Sequence, residues 1–178
     1  MSAPKPIWRD GTTLGYVKAI QSRTMAEHLG IEFTELGPDY LRATMPVTER
    51  SCQPMRVLHG GASMALAETI ASTAANLLVD ATRCSMVGQE INANHLRAVP
   101  VGEVVTGTAR PFHVGMRSQV WGIEITDARG RRVCVSRLTM ALVNRPLVVP
   151  PPEGSGADTS AMAGPGASKG GGGAADAR

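Results

Sequence analysis

The sequence predicts an α+β domain in which an antiparallel sheet wraps around one long central helix. Three observations carry that expectation. Residues 61–79 hold a single formal charge, Glu68, among alanines, leucines and small hydroxyl residues, and from Ala62 onward nothing breaks a helix. The flanking segments alternate apolar and polar residues with the period of two that marks half-buried strands. Finally, the order is a hairpin, one long helix, then consecutive strands joined by turn residues, which belongs to α+β.

Length and composition set the frame. The 178 residues are 43% hydrophobic, enough for one domain with a real core. Aromatic residues are only 3% of the chain, so that core has to be built from Val, Leu, Ile, Met and Ala. A net charge of +3 suits an anionic small molecule and falls short of a nucleic-acid-binding surface. Cys52, Cys84 and Cys134 are odd in number and widely spaced, which indicates neither a disulfide framework nor a zinc site and fits a reducing cytoplasm. No apolar leader and no membrane-length apolar run is expected.

In chain order, residues 1–12 are polar and read as a flexible N-terminus, and the domain spans 13–145. Residues 13–20 and 24–29 each suit a short helix, the second capped by Thr24 and stopped at Gly30. IEFTEL at 31–36 alternates, Gly37, Pro38 and Asp39 supply a turn, and residues 40–47 alternate again, giving a hairpin. Residues 48–56 form a polar loop holding Gln53. After the helix, strands are expected at 84–95, 103–112, 119–126 and 132–143, with a turn at 127–130. From Pro146 the chain becomes a Pro, Gly and Ala mixture that cannot form a core, so 146–178 is expected as a disordered tail.

The helix holds the best candidate for chemistry. Leu66, Ile70, Thr73 and Leu77 fall on one stripe, and Ala65, Glu68, Ser72 and Ala75 on the other. An outer face normally carries several charges, whereas Glu68 stands alone on a smooth small-residue surface. A retained carboxylate in apolar surroundings points to function as often as to solvation. Gly60 and Gly61 open the helix, leaving backbone N–H groups at the positive end of its dipole. His59, just before them, suits a cap better than a base. Cys84 and Trp121 read more simply as packing residues.

Four blocks then carry a resemblance: VLHGGASMALAE at 57–68, EINANHLR at 90–97, HVGMRSQVW at 113–121 and SRLT at 136–139. In this order and spacing they resemble the hot-dog-fold acyl-CoA thioesterases. The branch is the one holding the phenylacetate-pathway, 1,4-dihydroxy-2-naphthoyl-CoA and enterobactin-proofreading types. The resemblance covers about residues 15–145. It implies that Glu68 is the catalytic carboxylate, as nucleophile or general base, and that the Gly60 N–H holds the thioester oxygen. It places His59 beside that donor and Gln53 across the cleft. Ser72 and Thr73 follow at the acyl group, and Gly88 joins the substrate-binding set. His95, Arg97 and the loop of His113, Val114, Gly115, Met116, Arg117 and Ser118 fall at the nucleotide-and-pantetheine channel. No cofactor or metal is implied. The family works as dimers or tetramers with the active site between subunits.

The chemistry is coherent on its own terms. A helix N-terminal N–H stabilises charge developing on a thioester oxygen, and a carboxylate attacks or deprotonates water. The cationic residues at the mouth suit the phosphates of CoA. The acyl group is expected to be aromatic or medium-sized, because Ala62, Ala65, Ala71 and Ser72 leave room beside Glu68. A hydratase would need an acid–His or acid–Asp motif that is absent here. A non-catalytic acyl-CoA-binding module on the same fold is the alternative, although it could dispense with Glu68.

Overall fold

The computed structural model describes residues 5–146. Within them, α1 (Leu14–Ala19) and α2 (Met25–His28) precede β1 (Glu32–Leu36) and β2 (Leu41–Pro46). Then come α3 (Gly60–Asn76), β3 (Ser85–His95), β4 (Val104–Val114), β5 (Ser118–Thr126) and β6 (Arg132–Val143). The strands form one antiparallel six-stranded sheet in the order β1-β2-β4-β5-β6-β3. The helix α3 packs against β2 through β6. This is the helix-in-sheet arrangement that the alternation pattern predicts.

Local chemistry explains the element ends. Thr13 and Thr24 cap α1 and α2, accepting from the N–H groups of Tyr16 and Ala26, as short hydroxyl side chains do at helix starts. Gly30 ends α2 with φ at +70°, a left-handed conformation that costs glycine least. The turn between β5 and β6 is held by Asp127, whose Oδ1 accepts from the N–H groups of Arg129 and Arg131.

The core is aliphatic, as the composition demands. Leu66, Ile70, Ala71 and Ala74 of α3 are fully buried against Leu41, Met45, Val105, Ile125 and Met140. Each large side chain so buried contributes about 1.5–3 kcal/mol. Trp121 is buried in the same layer. Its indole N–H donates to Gln119 Oε1 at 2.9 Å, and Gln119 Nε2 donates to the Ala75 carbonyl at 3.4 Å. A polar relay thus pins α3 to β5 without leaving an unpaired buried group.

Three expectations need correction. Residues 5–12, read as part of a flexible segment, are held in place. The Trp8 ring stacks on Trp121 at 6.3 Å between centroids. The Ile7 and Arg9 N–H groups bond to the carbonyls of Pro38 and Leu77. Composition could not show this, because one large aromatic ring supplies the burial that the polar neighbours lack. Second, His113 and Val114 lie in β4 and Ser118 opens β5, so the expected loop at 113–118 is a tight turn. Its Gly115 N–H bonds to the Ser118 carbonyl at 2.9 Å. Third, Ala75 is fully buried, and the open stripe of α3 runs instead through Ala65, Glu68, Ser72 and Asn76. Of the tail expected over 146–178, residues 147–178 lie outside the described residues.

Candidate active site

The N-terminus of α3 explains its pair of glycines. His59 is the N-cap, with extended φ and ψ of −71° and 136°, and its Nδ1 accepts from the Gly61 N–H at 2.8 Å. Its carbonyl accepts from Ala62 and Ser63. The first-turn donors are therefore used, except one: among the described residues the Gly60 N–H has no acceptor. The His95 imidazole leans over this position, since a Cβ on Gly60 would lie 2.9 Å from His95 Nε2. A Cβ on Gly61 would lie 3.0 Å from His59 Nδ1. Two imidazoles flank the helix end, and a side chain on either glycine would crowd one of them. The free N–H at the positive end of the helix dipole suits a developing oxyanion.

Glu68 lies two turns further on, half-buried, with its carboxylate against the edge strand β3. A Cβ on Gly88 would lie 2.5 Å from Glu68 Oε1. Glycine there is a steric requirement of the carboxylate's position. The β-bulge between Gly88 and Glu90 bends the strand at this point. Among the described residues no donor reaches the carboxylate, and burial raises the Glu68 pKa above the ordinary glutamate value. A partly desolvated, unpaired carboxylate is a stronger base near neutral pH than a solvated one.

Asn76, which sequence reasoning did not single out, fixes this corner. Its side-chain amide donates to the carbonyls of Ser72 and Met86 at 2.9 and 3.0 Å and accepts from the Met86 N–H at 2.9 Å. The side chain thus occupies the hydrogen-bonding groups that β3 turns away from β6 at Met86. Residues 87–95 of the same edge are left to pair elsewhere. An Asn one turn past Ser72 on the Glu68 stripe was the available signal.

The remaining expected residues divide in two. His95, in the last position of β3, and exposed Arg97 just beyond it lie at the Gly60 end. The register Ser118–Ala141–Val87 puts the 113–118 hairpin at the opposite end of the sheet. Val87 and His95 are eight residues apart, about 26 Å along a strand. Within one chain the hairpin and Gly60 are not brought together. Exposed Met116 and Arg117 project from the hairpin, and the His113 ring folds over Gly115. Gln53 is half-buried in the loop before α3, where its N–H bonds to the Val57 carbonyl at 2.9 Å. Ser72 and Thr73 lie one turn beyond Glu68, Ser72 half-buried and Thr73 buried. No described helix is long and apolar enough to cross a membrane, and no group of metal-binding side chains occurs among the described residues.

Comparison with known proteins supplies the family. Residues 55–134 match the thioesterase superfamily model. The chain is 50% identical over 137 residues to a proofreading thioesterase EntH from Cronobacter turicensis, covering 77% of this chain and 98% of that one. It is 47% identical over 137 residues to a 1,4-dihydroxy-2-naphthoyl-CoA hydrolase from Escherichia coli, covering 77% and 99%. The fold superposes on a crystal structure of a thioesterase from Haemophilus influenzae with a TM-score of 0.73. That pair shares 45% identity, over 78% of this chain and 95% of the other. With the six-stranded antiparallel sheet around one main helix and an identity of this size over nearly whole relatives, the chain belongs to the thioesterase superfamily as a hydrolase of the hot-dog fold.

Proposed function

We propose that the chain hydrolyses an acyl-CoA thioester, carrying an aromatic or medium-sized acyl group, in a site shared by two copies of the chain. One observation carries the shared site. Gly60 and Glu68 are eight residues apart on one helix, about 12 Å along its axis. A thioester presents its carbonyl carbon and oxygen side by side, and a hydrogen bond reaches only about 3 Å. The free N–H and the carboxylate of one chain therefore do not serve the same carbonyl. A second copy, related by a two-fold axis, brings its Gly60 to this Glu68 and the reverse.

The free edge of β3 supports that arrangement. Antiparallel pairing of residues 87–95 with their symmetry copies reverses the strand direction, as an isologous contact requires. The end with His95 and Arg97 on one copy then faces the end with the 113–118 hairpin on the other. His113, Arg117 and Arg97 thereby gather at one mouth, where their positive and hydrogen-bonding groups suit the CoA phosphates. The assembly is at least a dimer, and pairs of dimers fit the family's tetramers.

In the reaction, Glu68 takes a proton from water as the water oxygen bonds to the carbonyl carbon, or attacks that carbon itself. Charge passes to the carbonyl oxygen, where the Gly60 N–H of the other copy meets it. On the water route, collapse breaks the C–S bond and the leaving thiolate takes the proton held by Glu68, giving CoA thiol and the free acid. On the attack route, collapse leaves the acyl group as an anhydride on Glu68, and a water hydrolyses it to the free acid while its proton goes to the thiolate. His59 holds the Gly61 amide and so orients the helix end, and Gln53 lines the cleft to position water or thioester. Thiol release from benzoyl-, hydroxybenzoyl-, phenylacetyl-, dihydroxynaphthoyl- and hexanoyl-CoA tests this reading, with Glu68→Gln and Glu68→Ala in parallel. Turnover of one class, lost in both variants, supports it. Binding without thiol release, or variants that keep their rate, would replace it with a non-catalytic acyl-CoA-binding module.

A further inference from the structure

Beyond Glu68 the open stripe of α3 forms the floor of a groove of about 280 Å³ that begins at Thr69 and Ser72 and is lipped by exposed Met25. A second groove of about 210 Å³ continues toward the end of α3, between Leu77, Val79, Tyr16 and Arg9. The two share Ile20, Thr73 and Asn76 as a common wall. On the first groove's side of that wall, Gln21 Nε2 donates to Thr73 Oγ1 at 3.1 Å. This hydrogen bond ties residues 13–30 to α3. The Thr24 hydroxyl, donating to the Gln21 carbonyl at 2.6 Å, fixes the backbone of the same turn.

From this geometry we propose that Ile20 and Gln21, held on Thr73, form the end wall of the acyl groove and set the longest acyl group the enzyme accepts. The inference rests on the acyl-CoA reading above and adds to it the residues that measure length. Ser72, which lines the groove, lies one turn past Glu68 on the same stripe, about 6 Å along the helix axis, and Thr73 beside it turns toward the wall, which leaves room for a single ring or a short chain. Past the wall, the second groove offers Leu77, Val79 and the Tyr16 ring, apolar cover that a longer chain would use. The Gln21 amide N–H is satisfied on Thr73, which holds the side chain against the groove. Shortening Gln21 extends the first groove along Ile20 and Thr73, residues shared with the second, and every methylene that then finds cover raises discrimination toward longer esters.

The test compares hexanoyl- and decanoyl-CoA on the wild type, Gln21→Ala and Thr73→Val. Binding is read by titration calorimetry in a Glu68→Gln background, and turnover in the background with Glu68 intact. Gln21→Ala is expected to raise the decanoyl-to-hexanoyl preference by about ten-fold or more. Thr73→Val, which frees Gln21 without shortening it, is expected to shift it less, in the same direction. Because the binding ratio needs no turnover, it reads the wall even if the hydrolysis reading fails. A ratio unchanged in both variants, with melting temperatures showing them folded, overturns the proposal.

Discussion

The two faces of α3 make opposite demands on one helix. The face turned to the sheet is closed, with Leu66, Ile70 and Ala74 at zero exposure, and every group on it is apolar or paired. The face through Ala65, Glu68, Ser72 and Asn76 is half-open, carries the unpaired carboxylate, and lies along the free edge of β3. The closed face contributes stability with no chemistry. The open one holds a carboxylate whose desolvation opposes folding, because a charged group loses water there without gaining a partner. One element can hold an unpaired carboxylate in a destabilising position because its other side is so well buried.

Substitutions on each face break or sharpen that contrast. Glu68→Gln is expected to lower kcat by about 10²–10⁴, measured as thiol release, while leaving the fold intact. On the closed face Leu66→Ala is expected to cost about 2–5 kcal/mol in denaturant unfolding. Gly88→Ala sits between the two. Its Cβ would meet Glu68 Oε1 at 2.5 Å, and displacing the carboxylate by about an ångström is expected to cost about 10² in kcat. Asn76→Ala leaves the Met86 N–H and carbonyl unpaired, and about 1–3 kcal/mol of stability should be lost.

The smallest effect is on pH dependence. The Glu68 pKa is raised in the folded chain by burial, so the folded state holds this proton more tightly than the unfolded state does. Relative stability from this group is fully present below the ordinary glutamate pKa and is lost as pH rises through the folded value. Glu68→Gln should therefore melt higher than wild type at neutral pH, and the gap should close on acidification. If the carboxylate must be ionised, the acidic limb of the rate profile lies above the ordinary glutamate value. A limb at the ordinary value, with no melting difference, would show that Glu68 is solvated in the assembled protein.

The closed face was legible in the sequence because periodicity reports burial directly: Leu66, Ile70, Thr73 and Leu77 all face inward. Strand positions followed from alternation, and β6 coincides with the residues expected. Of the candidate site, Glu68 and the Gly60 N–H stood out in the sequence as one isolated charge and a glycine pair at a helix start, and the structure leaves both without a partner among the described residues. The steric role of Gly88 was not, because it depends on a residue twenty positions away across a bulge. Nor was the Asn76 clamp, since a helical Asn gives no sign of which backbone it will meet. Trp8 defeated composition for a similar reason: its stacking on Trp121 is a tertiary fact. The sequence offered His95 and the 113–118 turn as parts of one site, whereas one chain's register sets them at opposite ends.

If a working site takes Glu68 from one copy and the Gly60 N–H from another, mixed dimers show it most directly. Gly60→Pro removes that N–H at the first helical position, where the helix backbone tolerates proline, and His59 already has the extended backbone that proline requires before it. Its ring also displaces the His95 imidazole, which a Cβ would meet at 2.9 Å, so Gly60→Ala, which crowds His95 but keeps the N–H, is the control. Glu68→Gln and Gly60→Pro are each expected to be inactive alone. Reassociated together, they should regain thiol release, because each mixed dimer then holds one site with both groups intact. If the mixed dimers form and remain as inactive as the separate variants, the carboxylate and the oxyanion donor act within one chain and the account is wrong.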